Sequence, residues 1–209
     1  MKNAIFAVTI ALTATTLLAQ QKTYTITDDG KNYTTFESQA TLETIKGTTT
    51  KVSGTIAADP AAPSNANVDV TIDLRSLDTG ISMRNEHMRG ENFLNVEKYA
   101  TATFKSVSVT APKSIVANQP ADIGVTGDFT VHGVTKRITV PVRVVMIPES
   151  ELTKSSRGPG DWIHATANFA IKLTDYGIAV PEKLMMKLSN NVDIKLDVFA
   201  RSAAAASKK

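Results

Sequence analysis

The chain of 209 residues contains no cysteine. That excludes thiol nucleophiles, thiolate metal sites, iron–sulfur clusters and a disulfide framework, so stability must come from a buried core. Aromatic residues make up only 6% and there is a single tryptophan, so the 42% hydrophobic content is mostly Val, Ile, Leu and Ala. Charge of one sign is also missing. Lys and Arg total 23 against 20 Asp and Glu, a net +3, and they are scattered, which excludes nucleic acid as a partner. Only three histidines are present, too few and too far apart in sequence for a local metal motif.

Long apolar runs are confined to the start. Met1-Lys2 is followed by an uncharged stretch from Ile5 to Leu18 that ends at Ala19-Gln20. This pattern predicts a signal peptide over residues 1–19, hence a periplasmic or secreted protein. The run is too short for a comfortable membrane span, and no cysteine follows it to carry a lipid.

What is present is alternation. Val68, Val70, Ile72 and Leu74 interleave with polar residues, as do Ile123, Val125, Phe129 and Val131, with Gly127 between. Ile138 to Val144, Ile163 to Leu173 and Val192 to Val198 repeat the pattern. Period two predicts half-buried strands. Turn-rich segments separate them: residues 59–67, 111–122, the short connection His132–Lys136 and the polar loop 147–161. Many antiparallel strands joined this way imply an all-β sandwich or closed barrel. The alternation lapses between Ser82 and Glu97, where helix formers predict a short helical insertion over 82–97, broken near Gly90. The domain is expected over 22–201, followed by a flexible basic tail at 202–209. The inward-facing residues mix Val, Ile and Ala and are compatible with a packed core or with an apolar cavity.

The catalytic patterns are thin. Asp78-Thr79-Gly80 matches the aspartic-protease tripeptide, but it occurs once, so a shared-proton carboxylate pair needs a dimer; a turn is the plainer reading. Gly-x-Ser-x-Gly and phosphate loops are absent. Asp28-Asp29-Gly30 lacks the acidic spacing of a calcium loop. His87 and His132 could meet only through the fold, and His164 falls on the polar face of its strand. No catalytic or metal residue is assigned.

Two blocks add information that periodicity does not. "VTIDLRSLDTGISMRNEHMRGENFLNVEKYATATFKS" (residues 70–106) and "GDFTVHGVTKRITVPV" (127–142) resemble the signature blocks of the YceI-like family of lipid- or polyisoprenoid-binding proteins. "KLTDYGIAVP" (172–181) is a weaker third match. Order and spacing agree over about residues 52–200, with departures at Asn85, Ala100, Arg137 and Lys172 and a loose match before Val52. The resemblance implies an extended, lipocalin-like antiparallel β-barrel of about eight strands. It implies a non-enzymatic, exported carrier with no required cofactor, holding a small apolar amphiphile such as an isoprenoid or quinone-like lipid. Transient membrane contact and a homodimer are compatible with it.

On that reading the tunnel lining comes from Val70, Ile72, Phe93, Val125, Phe129, Val131, Val140, Val142, Phe169 and Ile171. Arg84, His87 and Arg89 are candidates for a polar head group, because guanidinium forks pair well with phosphate-like groups. A surface ion-pair network is the plainer account of the same charges. Two alternatives stand beside the carrier: a dimeric hydrolase using Asp78, and an exported interaction module with a filled core.

Overall fold

In the computed structural model, residues 21–27 and 31–203 are described. The expected signal peptide, the Asp28-Asp29-Gly30 run and residues 204–209 of the expected tail lie outside them. The described strands are β1 (Lys22–Ile26), β2 (Tyr33–Gln39), β3 (Thr44–Thr49), β4 (Val52–Ala58), β5 (Asn67–Asp73), β6 (Thr101–Thr110), β7 (Pro120–Val131), β8 (Val134–Ile147), β9 (Trp162–Lys172) and β10 (Asn191–Ser202). All pairings are antiparallel, and β1 closes the sheet on β10.

β1 and β2 share one edge of β10 in succession: Ile26 faces Ala200 and Tyr33 faces Asp197. β3 and β4 are parted only by Thr50-Lys51. Taken as two interrupted strands, these four complete a closed eight-stranded antiparallel barrel in which sequence neighbours are also sheet neighbours. Asn32 fills the first interruption. It is 1% exposed, donates to the Thr27 carbonyl at 2.8 Å and accepts from the Phe199 amide at 2.6 Å, so it pairs backbone that the ladder leaves open.

The alternating residues point inward as expected, and Gly127 is explained by what crosses it. A Cβ there would stand 2.5 Å from both the Phe104 ring and the Lys105 carbonyl oxygen. The connection between β7 and β8 is tighter than the expected 132–136 segment. His132 (φ 53°) and Gly133 (φ 73°) alone make the turn, and two left-handed residues match the twist of a hairpin.

Helix α1 (Ser82–Arg89) opens the expected insertion; from Gly90 to Tyr99 the chain forms turns that bury Leu94 and Val96. Helix α2 (Glu151–Arg157) arises where only a polar loop was expected. It buries none of its residues, so no apolar stripe marks it; its signal is the reciprocal capping of Ser150 and Thr153. β10 continues to Ser202, which is buried and accepts from the Asp161 amide at 2.9 Å, so the strand runs one residue past the expected domain end.

Loops close the barrel unequally. At one end, the amide of buried Ile115 donates to the Pro60 carbonyl at 2.8 Å and joins the two loops there. At the other, α1 with its following turns and the 173–190 segment flank the β2–β3 hairpin, and the Leu42 amide in that hairpin donates to the Met186 carbonyl at 2.8 Å.

Candidate binding cavity

The inward residues do not fill the barrel. Small side chains at Ala102, Ala165 and Ala167, and few aromatics, leave apolar space along the axis. An inner chamber of about 110 Å³ lies among Ile26, Ile56, Val144, Ile163 and Val198 and is closed at its far end by Pro60, Pro63 and Ile115. An outer chamber of about 620 Å³ opens beyond it, between the β2–β3 hairpin, α1 and the 173–190 segment. The outer volume lies in the range of roughly 300–1,000 Å³ typical of small-molecule sites. This open interior removes the filled-core alternative.

Five residues border both chambers: Thr34, Ile72, Ala102, Phe129 and Ile194. They come from β2, β5, β6, β7 and β10 and form a ring around the interior. Thr34 spends its hydroxyl on the Lys195 carbonyl at 2.9 Å, so the ring presents no free donor. Phe129 is held edge-on by Phe169 and by Tyr176, each with ring centres 5.6 Å away.

Each of the ten expected lining residues stands on a chamber wall. Val70, Val125, Val140, Val142 and Phe169 face the inner chamber, Phe93, Val131 and Ile171 the outer, and Ile72 and Phe129 both. Leu74, the last residue of the first alternating run, also walls the outer chamber, but alternation could not have found Phe36, Ile45, Leu77, Ile178 and Leu188, which stand there too. Phe36 and Ile45 lie on Thr-rich strands whose inward positions include Thr34 and Ser38, and the other three lie in turns and loops.

The head-group candidates separate. Arg84 and His87 lie three apart on α1, share its face and reach the outer chamber, and Arg84 pairs with Glu43 at 2.7 Å. Glu43 and Lys187 complete a charged border on an otherwise apolar wall. Arg89 does not reach the cavity. Two residues past His87, it turns toward the protein and donates to the Leu77 carbonyl, with its Nε buried. It anchors the insertion.

Asp78 is exposed and makes a turn. Its Oδ1 accepts from the Gly80 amide at 2.8 Å and the Asn85 side chain at 2.7 Å; the Gly80 amide first, then Asn85, holds its carboxyl below the usual carboxylate range. A catalytic carboxylate pair needs the opposite in one member. The histidines are also dispersed in role. His132 Nδ1 lies 3.1 Å from the Tyr176 carbonyl, and its ring meets Tyr99 edge-on. His164 pairs with Asp197 at 2.9 Å and stacks on Phe199.

Comparisons with known proteins agree with this architecture. The model of the YceI-like domain matches residues 24–200. A UPF0312 protein of Vibrio parahaemolyticus is 32% identical over 205 residues, 95% of this chain and 97% of that protein. Protein YceI of Salmonella newport is 31% identical over 185 residues, 85% of this chain and 88% of the relative. Among solved structures, BcnA of Burkholderia cenocepacia superposes with a TM-score of 0.66 at 23% identity, covering 83% of this chain and 98% of its own. A polyisoprenoid binding domain from Saccharophagus degradans, implicated in plant cell wall breakdown, gives 0.65 at 18%, covering 88% and 100%. At these identities the two structures speak for the fold.

Proposed function

The chain belongs to the YceI-like domain family, and on that premise we propose that it is an exported, non-enzymatic carrier that holds a long apolar amphiphile, an isoprenoid or quinone-like lipid, inside its barrel. The observation that carries the reading is the apolar interior: an inner chamber continuous in its wall with a larger outer one, both lined mostly by apolar side chains. The polyisoprenoid-binding structural relative supports the choice of ligand class.

The energetics suit a carrier. Each buried methylene is worth roughly 0.8 kcal/mol against water, so a prenyl chain held only against water would reach the practical ceiling of about −20 kcal/mol quickly. Its other home is a bilayer, which is equally apolar. Exchange between bilayer and cavity is then nearly balanced, and the polar end decides direction. Arg84, His87 and Lys187, with Glu43, are the groups positioned to meet that end.

The mouth suits transient membrane contact. Leu42, Ile81, Met83, Leu184, Met185 and Met186 are large apolar residues left exposed at this end, while among the described residues the rest of the surface has only Val107, Val116 and Leu152 of that kind. Ile81, Met83 and Leu184 also wall the outer chamber, so a chain leaving the cavity meets apolar surface before water.

Native mass spectrometry with lipid extraction, on protein from its own host, tests the reading. A co-purifying prenyl or quinone-like lipid is expected. A folded protein that is always empty and takes up no added isoprenoid or quinone refutes it. The hydrolase alternative is tested by peptide cleavage at acid pH, where no activity from the unaltered protein is expected.

A further inference from the structure

We infer that Phe129 is a chain-length stop. It closes the outer chamber against the inner one and thereby sets how long an apolar tail the barrel accepts in its resting form. The inference rests on the carrier reading above and adds to it the residue that limits the ligand.

Three observations converge on this position. Among the described residues, Phe129 is one of five that border both chambers, and it is the largest and the one aromatic member of that ring. It is 4% exposed and is held edge-on between Phe169, on the inner-chamber wall, and Tyr176, so it cannot swing freely out of the way. On the neighbouring strand β6, Phe104 lies across from Phe129 and faces the inner chamber, while Ala102, two residues along, is the smallest of the five that border both chambers, so among those five the width of the waist depends chiefly on Phe129. Widening this point joins the chambers; narrowing it shortens the space open from the mouth.

The volumes give a length. At roughly 30 Å³ per heavy atom, the share one water takes in the liquid, the outer 620 Å³ holds about 20 heavy atoms, or about four isoprene units. On the same scale the inner 110 Å³ holds about four more atoms. Phe129→Leu removes three heavy atoms at the waist and opens the inner chamber. Together these gains amount to about one further isoprene unit.

The test is a series of linear prenyl alcohols of increasing length, offered to the delipidated full chain and read by native mass spectrometry in competition. Affinity is expected to rise with each unit and to stop rising near about four units in the unaltered protein. Phe129→Leu should move that break up by about one unit. Adding Ala102→Leu to it should close the waist again and return the break toward its original length. General damage to packing would lower affinity at every length without moving the break. If Phe129→Leu does not fold, Phe129→Met, with the same number of side-chain heavy atoms as Leu but unbranched and adaptable in packing, carries the same expectation. Uptake that rises without a break, or a break that neither Phe129 variant moves, overturns this inference and leaves the carrier reading standing. Failure of the unaltered, folded protein to bind any member of the series overturns the carrier reading itself.

Discussion

Tyr24 offers a quantitative check on how tightly the barrel is closed. It lies on β1, which completes the sheet by pairing with both β4 and β10, and it is 2% exposed within the core. Burial, then the charges of Asp161 and Asp59, push its phenol up to about 12 from 10.0. In the unfolded chain the phenol ionises near about 10. Below that pH both states carry the proton and Tyr24 adds no pH dependence. Between about 10 and 12 the unfolded chain loses its proton and the folded one keeps it, so folding stability falls as pH rises. Because the folded phenol is itself half ionised at pH 12, the loss reaches about 2.3 kcal/mol there and approaches about 2.7 kcal/mol only above it. With a urea slope of about 2 kcal/mol per molar, the midpoint at pH 12 drops by about 1 M. Tyr24→Phe removes this contribution and leaves Tyr176, also raised by burial, in place. Urea titrations of both proteins from pH 8 to 12 should therefore run parallel below about pH 10 and diverge above it, with the Tyr24→Phe variant losing less stability. Curves that remain parallel to pH 12 would refute the reasoning, because they would mean that the phenol reaches water in the folded state.

Asn32→Ala should lower stability by about 1–3 kcal/mol, chiefly because the Phe199 amide loses its acceptor; thermal unfolding measures it. Gly127→Ala places a methyl against the Phe104 ring and the Lys105 carbonyl and should cost about 1–3 kcal/mol, more than the roughly 0.4–1 kcal/mol gained by restricting the unfolded chain. A melting temperature equal to or above that of the unaltered protein would contradict the packing described there. Asn85→Asp replaces the donor to Asp78 by a second carboxylate. It should destabilise the protein at neutral pH, with the deficit shrinking as the pH falls and one carboxyl regains its proton, which paired melts at pH 7 and pH 4 would show.

How much of this was readable beforehand depends on which interaction decided each element. β7, β8, β9 and β10 are long and bury one face along most of their length, so apolar alternation marks them and hence the closed all-β architecture. β2 and β3 do not show it. Their inward positions include Thr34, Ser38 and Thr49, buried polar residues whose hydroxyls bond nearby groups. Polar residues satisfied by hydrogen bonds to partners distant in sequence look like exposed ones when the sequence is read alone, and this hides the strands that wall the outer chamber. α2 is invisible for the related reason that it buries no residue. The ten expected lining residues came from strand alternation and the family resemblance. The division of the interior did not, because a ring drawn from five strands is a property of register rather than of any local pattern.

The stretch from Ser76 to Tyr99 shows how chemistry-bearing residues become structural ones. Asp78 bonds Thr48 through its backbone in a bridge to β3 and accepts from Gly80 and Asn85 through its side chain. Asn85 in turn accepts from the Thr79 amide and hydroxyl, both at 2.8 Å, so one helical side chain ties the turn to α1. Arg89 ties the end of α1 to the Leu77 carbonyl. The insertion is thus held at both ends by polar contacts, which frees its apolar residues for the cavity: Leu77, Ile81, Met88, Phe93 and Leu94 all wall the outer chamber. The Asn85 position has a physical reason to carry an amide. A carboxylate could take both Thr79 hydrogen bonds but could donate nothing to Asp78, and two adjacent negative charges would loosen the turn that sets the chamber's wall.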